Sequence, residues 1–147
     1  MINSRDINDL ETIVQPYCNA FIKKCKTQGI DILVYSTFRD NAQQDSIYAI
    51  GRTVKGSNPT KSKPMGSIVT NAKGGESFHN YHVAFDWVPV IGGKPQWNDS
   101  VLYLKCGNIA ESCGLEWAGR WIKLKETAHC QFTGGHDLAW FKAGNKL

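Results

Sequence analysis

Nowhere in this 147-residue chain does an apolar run approach the roughly 20 residues that cross a bilayer, so stable membrane insertion is not expected. The opening stretch, Met1 to Leu10, carries Asp and Asn where a signal peptide needs a basic start and an uninterrupted apolar segment. Synthesis is therefore expected to end in the cytosol. The 5 cysteines (Cys18, Cys25, Cys106, Cys113 and Cys130) form an odd set without a CxxC pair, which argues against both a disulfide framework and a cysteine zinc knuckle. They read as buried thiols. Low-complexity tracts and internal repeats are absent. The net charge of +4 is a small excess carried by scattered lysines, so no nucleic-acid-binding stripe is indicated. A polyanionic cell wall or outer-membrane surface would be attracted by the same charge.

What is present suits one folded domain spanning residues 1–147: about two-fifths hydrophobic residues, one-fifth charged, and aromatics throughout. Apolar residues recur at helical spacing from Ile7 through Leu10, Ile13, Val14, Tyr17, Phe21 and Ile22, with Pro16 expected to kink or split that helix. Ile32 to Tyr35 suits a buried strand and Asn41 to Ile50 a second helix. The Gly51 to Gly66 stretch, rich in Lys, Ser, Pro and Gly, reads as a long surface loop. Ser67 to Thr70 and Val83 to Val90 are strand-like, with a turn at Gly92-Gly93. Val101 to Cys113 has helical spacing and a stop at Gly114, Ala128 to Phe132 alternates as a strand, and Leu138 to Phe141 closes the chain as a helix. The fold class is α+β, with helices packed against a small, mainly antiparallel sheet.

Chemistry concentrates in two places. In the segment Ser77 to Asp86, strand alternation sends Val83, Phe85 and Trp87 one way and Ala84, Asp86 and Val88 the other, while His79 in the preceding loop can fold back toward Asp86. Downstream, Ala128, Cys130 and Phe132 form an apolar face, which leaves His129 and Gln131 pointing together from the opposite one. Glu126, three residues before His129, is close enough to share its site. Two imidazoles and one carboxylate are a set that zinc accepts in tetrahedral geometry with a fourth position open, and an open zinc site suggests catalysis. A carboxylate such as Glu126 can then take a proton from water and deliver it to a departing amine.

The pattern SxHxxxxAxD followed by ExxH, behind FRxxxxQ, resembles the M15 family of zinc peptidases, and the likeness runs from about Ile32 to Phe132. The motifs VYSTFRDNAQQDSIYAIGRT, IVTNAKGGESFHNYHVAFDWVPV, GLEWAGRW and KETAHCQF carry it, in that order. They look like the phage endolysin branch, which includes L-alanyl-D-glutamate peptidases. The resemblance implies one zinc ion per chain held by His79, Asp86 and His129, a general base at Glu126, and substrate or transition-state contacts from Arg39. Its fold would be that of the hedgehog and D,D-peptidase domains.

Ser77 is a further candidate near the site, or a turn hydroxyl that caps backbone; Gln44, or its neighbour Gln43, lines the cleft or faces solvent. Among the tryptophans, core packing suits most, and Trp121 beside Arg120 is the candidate for stacking on a glycan-bearing substrate. His82 stands where the family has glycine, and reads as a cleft wall, a competing ligand or a loop histidine without ligand duty. His136 resembles no family ligand. The implied activity is zinc-dependent hydrolysis of a peptidoglycan stem peptide by a monomer, in an endolysin without a separate wall-binding domain that is made in the host cytoplasm and acts in the periplasm or wall. A D,D-carboxypeptidase removing terminal D-alanine is the alternative within the class, and a non-catalytic zinc-stabilised wall-binding module the alternative outside it.

Overall fold

The computed structural model describes residues 1–123 and 125–147. At its centre lies strand β2 (Ala84–Ile91), the longest strand, whose AFDWVPV sequence puts aromatic and β-branched side chains on a surface covered from both sides. Strand β1 (Asp31–Ser36) pairs antiparallel along one of its edges. The short strand β3 (Lys94–Pro95) folds back on its C-terminal end through the Gly92-Gly93 turn. On the other edge come β5 (His129–Gln131) and then β4 (Glu116–Trp117), so the main order is β1-β2-β5-β4 and every pairing is antiparallel.

Helices α1 (Gln15–Lys26) and α3 (Ser100–Ser112) cover the sheet. Between them and the strands Phe21, Trp87, Phe85, Val14 and Cys130 are fully buried, with Phe21 edge-on to the Trp87 indole. Helix α2 (Asn41–Ala49) follows β1, and the short α4 (Leu138–Lys142) seals the far end, with Phe141 packed against Phe78 and Tyr81. This is the α+β architecture expected from the sequence. Cys18, Cys25, Cys106 and Cys130 are buried free thiols, and Cys113 is half-buried. Among the described residues no helix is long and apolar enough to cross a membrane.

Two expectations about elements need correction. Pro16 neither kinks nor splits a helix: the chain makes a separate 3-10 turn over Ile7–Asp9, and α1 begins at Gln15 with the proline in its first turn. There the missing N–H costs nothing, because the first donors of a helix have no partner within it. Nor is Ser67 to Thr70 a strand. Its Ile68 and Val69 are exposed, and the stretch is tied down from outside: the Ser67 amide donates to Ser57 O, and the Thr70 carbonyl accepts from Arg52 Nη1. A β-branched run without a free sheet edge beside it has no ladder to join.

The remaining elements lie within a few residues of where periodicity puts them, and Gly51 to Gly66 is a loop without regular structure. A contact at the N-terminus was not legible. Ser4 pairs with Phe38 and Thr37 through backbone hydrogen bonds, and Asn3 bridges to Arg39. The first residues thus clamp the segment that carries Arg39.

Candidate metal centre

Strand register builds the centre. Asp86 in β2 stands directly opposite His129 in β5, and on its other side opposite Ser36 in β1, where the register slips between Val34 and Ser36. Such a bulge bends a strand and re-aims the residues beyond it; here it turns the chain so that Arg39 comes back over Asp86. His79 arrives from a 3-10 turn, Phe78–Tyr81, which starts at Ser77. The Ser77 hydroxyl accepts from the His79 amide, and Asn80 Oδ1 accepts in return from the Ser77 amide. This reciprocal cap fixes where His79 enters.

The three predicted ligands meet. His79 Nε2 is 3.1 Å and His129 Nδ1 3.2 Å from the same oxygen, Asp86 Oδ1, and one donor atom from each residue lies within 4.8 Å of the other two. Zinc bonds of about 2.0–2.1 Å in tetrahedral geometry hold neighbouring donors roughly 3.3 Å apart, so the set fits zinc with little adjustment. Both rings are also turned correctly. His79 Nδ1 donates to the Thr37 carbonyl at 2.7 Å and His129 Nε2 donates to Gln131 Oε1 at 2.9 Å, which leaves Nε2 of the first and Nδ1 of the second free to ligate.

The two histidines differ electrostatically. Burial holds the His79 imidazole below its ordinary pKa, against the attraction of Asp86. Burial pulls His129 the same way, but a hydrogen bond to Asp86, the Asp86 charge and Glu126 together carry it above the ordinary value. Burial alone would raise the Asp86 carboxyl; its interactions with the two histidines outweigh that and hold it well below the usual carboxylate range. A proton taken up by the cluster therefore resides on His129.

Around the cluster opens a cleft of about 960 Å³. Arg39 reaches into it, with Nη2 2.5 Å from Asp86 Oδ2 and Nη1 donating to Gln44 Oε1. Glu126 stands at the rim with its side chain 55% exposed, Oε2 3.7 Å from His129 Nδ1. Trp121 lines the same wall, its ring 6.0 Å from that of His129, and Ser77 borders the floor while serving as a cap.

One side chain sits elsewhere than expected, and His82 follows the last of its three readings, a loop histidine without ligand duty. Gln44 is fully buried: it holds Arg39 from behind and donates to the Ala72 carbonyl, so it braces the cleft wall, and its neighbour Gln43 is the one that lines the cleft. The helix period gives both faces of α2 a glutamine, and sequence spacing alone does not say which is inside. His82 takes φ 62°, the left-handed conformation that suits glycine, yet its ring faces away from the cluster, stacked on Phe38 with Nδ1 donating to the Asp9 carbonyl. It is neither ligand nor cleft wall. His136 stacks on Trp140. Sequence reasoning missed the supports: Thr37, Ser36, whose hydroxyl accepts from Arg39 Nε, and the partners of Gln131. Only Gln131 left a signal, by sharing a strand face with His129.

Residues 70–132 match the family model described as D-alanyl-D-alanine carboxypeptidase, within the M15 peptidases. The chain is 33% identical over 133 residues to the peptidoglycan L-alanyl-D-glutamate endopeptidase CwlK of Bacillus subtilis (strain 168), covering 84% of this chain and 74% of that protein. Its fold is similar to that of the L-Ala D-Glu endopeptidase ChiX of Serratia marcescens (TM-score 0.57, 20% identity, 90% of this chain and 89% of the other). A D,D-pentapeptidase VanY from a VanB-type resistance cassette, solved with Zn(II), is similar in fold too (TM-score 0.66, 15% identity, 97% and 84% covered). With the His-Asp-His cluster at the floor of its cleft, the chain belongs to the M15 family of metallopeptidases.

Proposed function

We propose that the protein is a zinc-dependent peptidoglycan endopeptidase that hydrolyses the L-alanyl-D-glutamate bond of the stem peptide. The observation that carries this reading is the convergence of His79, Asp86 and His129 with Arg39 and Glu126 on one cleft, in a chain a third identical to an endopeptidase of that specificity. One zinc ion per chain, held by those three residues, would supply an acidified water and polarise the scissile carbonyl. In this reading Glu126 takes the proton of the attacking water and passes it to the leaving amine. Its exposure at the rim and its 3.7 Å approach to His129 support that role. Arg39, held by Ser36 and Gln44 beside Asp86, is the cation we assign to the oxygen on which negative charge develops. Trp121 and Ser77 border the path of the peptide.

The physiological role we infer is that of an endolysin, made in the host cytoplasm and acting on the wall. Removal of terminal D-alanine is the second reading, favoured by the description of the family model and by the D,D-peptidase fold. The non-catalytic module is disfavoured, because a carboxylate at the rim beside His129 has no task in metal storage. Mass analysis of fragments released from purified sacculi separates the readings. New N-terminal glutamate is the expected product; free alanine in its place would shift the assignment to a carboxypeptidase, and an undigested sacculus would overturn both.

A further inference from the structure

His129 presents a lone pair at Nδ1 only while its proton sits on Nε2, and a neutral imidazole by itself holds either tautomer. What holds this one is a row of side chains joining β5 to β4. His129 Nε2 lies 2.9 Å from Gln131 Oε1, the Gln131 amide nitrogen lies 3.2 Å from Glu116 Oε2, and the other Glu116 oxygen accepts from the Thr133 hydroxyl at 3.0 Å. Backbone pairing sets this row directly, because Glu116 and Gln131 are opposite one another in the β4–β5 ladder.

Each link in the row has one polarity. An ionised carboxylate only accepts, so the end of the Gln131 amide that faces Glu116 is its NH2 group. The end that faces His129 is then the carbonyl oxygen, and an oxygen that only accepts calls for a proton on Nε2. Nδ1 is then the nitrogen turned to the ligand cluster, 3.2 Å from Asp86 Oδ1. Gln131 and Thr133 are each 3% exposed, so their ends of these bonds are shielded from water, while Glu116 is exposed and can be altered without opening the core.

We infer that Glu116 is a positioning residue for the metal centre, acting through the Gln131 amide to fix the His129 tautomer that leaves Nδ1 free for the metal. This rests on the reading of His79, Asp86 and His129 as the zinc ligands. Partners behind a ligand histidine that orient its ring commonly change metal affinity by about 10-fold to 100-fold when removed. Glu116→Gln is the sharp test, since a glutamine there is nearly the same size and can face Gln131 with either a donor or an acceptor.

The experiment measures zinc affinity by competition with a chromophoric chelator for the parent, Glu116→Gln, Gln131→Leu and the double variant, with thermal unfolding of each metal-free protein as the control for folding. The expected result is an affinity about tenfold weaker for Glu116→Gln with unchanged metal-free unfolding, and a double variant no weaker than Gln131→Leu alone. Zinc affinity of Glu116→Gln within about twofold of a tightly binding parent, or losses that simply add in the double variant, would overturn the inference. A parent that takes up no zinc would instead overturn the ligand reading beneath it.

Discussion

Arg39 Nη2 lies 2.5 Å from Asp86 Oδ2, while the other oxygen of the same carboxylate faces both histidines. Asp86 thus divides its two oxygens between the metal cluster and a guanidinium that is itself held by Ser36 and Gln44. Arg39 is a neighbour of the cluster without being one of its ligands. Arg39→Ala is therefore expected to retain bound zinc and to lower kcat by about 100-fold, the scale set by removing one donor to a developing oxyanion. Zinc content and sacculus digestion on the same preparation check this; a variant that loses its zinc would show Arg39 to be structural.

Glu126 gives the complementary prediction. Its side chain is 55% exposed and outside the ligand cluster, so Glu126→Gln should leave zinc content and folding as they are. A general base contributes about 100-fold to 10,000-fold, so hydrolysis should fall by at least about 100-fold. Digestion rates with parent-like values would remove Glu126 from the mechanism.

Proton competition fixes the pH dependence of metal uptake. Burial holds His79 below its ordinary pKa, whereas Asp86 and Glu126 prevail over burial to hold His129 above its own. Metal must displace that proton. As pH falls through the raised His129 value, zinc affinity should decline by roughly tenfold per pH unit; above it the affinity should level off. Chelator competition from acid to mildly alkaline pH checks the sign, and an affinity indifferent to pH would mean that neither ring binds the metal.

His82 offers a prediction of little change. At φ 62° its backbone is strained, by about 1 kcal/mol for a residue with a side chain. The bond from Nδ1 to the Asp9 carbonyl and the stack on Phe38 return a similar amount. His82→Gly should alter unfolding free energy by no more than about 1 kcal/mol and leave zinc content untouched. Loss of metal in that variant would place His82 among the ligands after all.

Much of this arrangement was legible in the sequence, because periodicity reports which face of an element is buried. Alternation placed Asp86 and His129 on the faces where they meet, and the helical repeats gave α2 and α3 nearly to the residue. His79 was less legible: it comes from a 3-10 turn, whose position depends on the Ser77 and Asn80 caps, and its inclusion followed from the family string. What stayed hidden depends on contacts between segments far apart in sequence. The clamp of Asn3 and Ser4 on residues 37–39, the choice of Gln44 over Gln43 for the buried side of α2, and the Glu116 row behind His129 all arise only once the sheet has closed. A β-branched run such as Ile68-Val69 carries a strand signal whether or not a partner edge exists.

The central claim, that His79, Asp86 and His129 hold a zinc ion, is tested most directly by metal analysis of the purified protein beside His129→Ala. About one zinc per chain is expected in the parent and nearly none in the variant, with both proteins folded. Equal zinc in the two, or none in the parent after incubation with zinc, would contradict it.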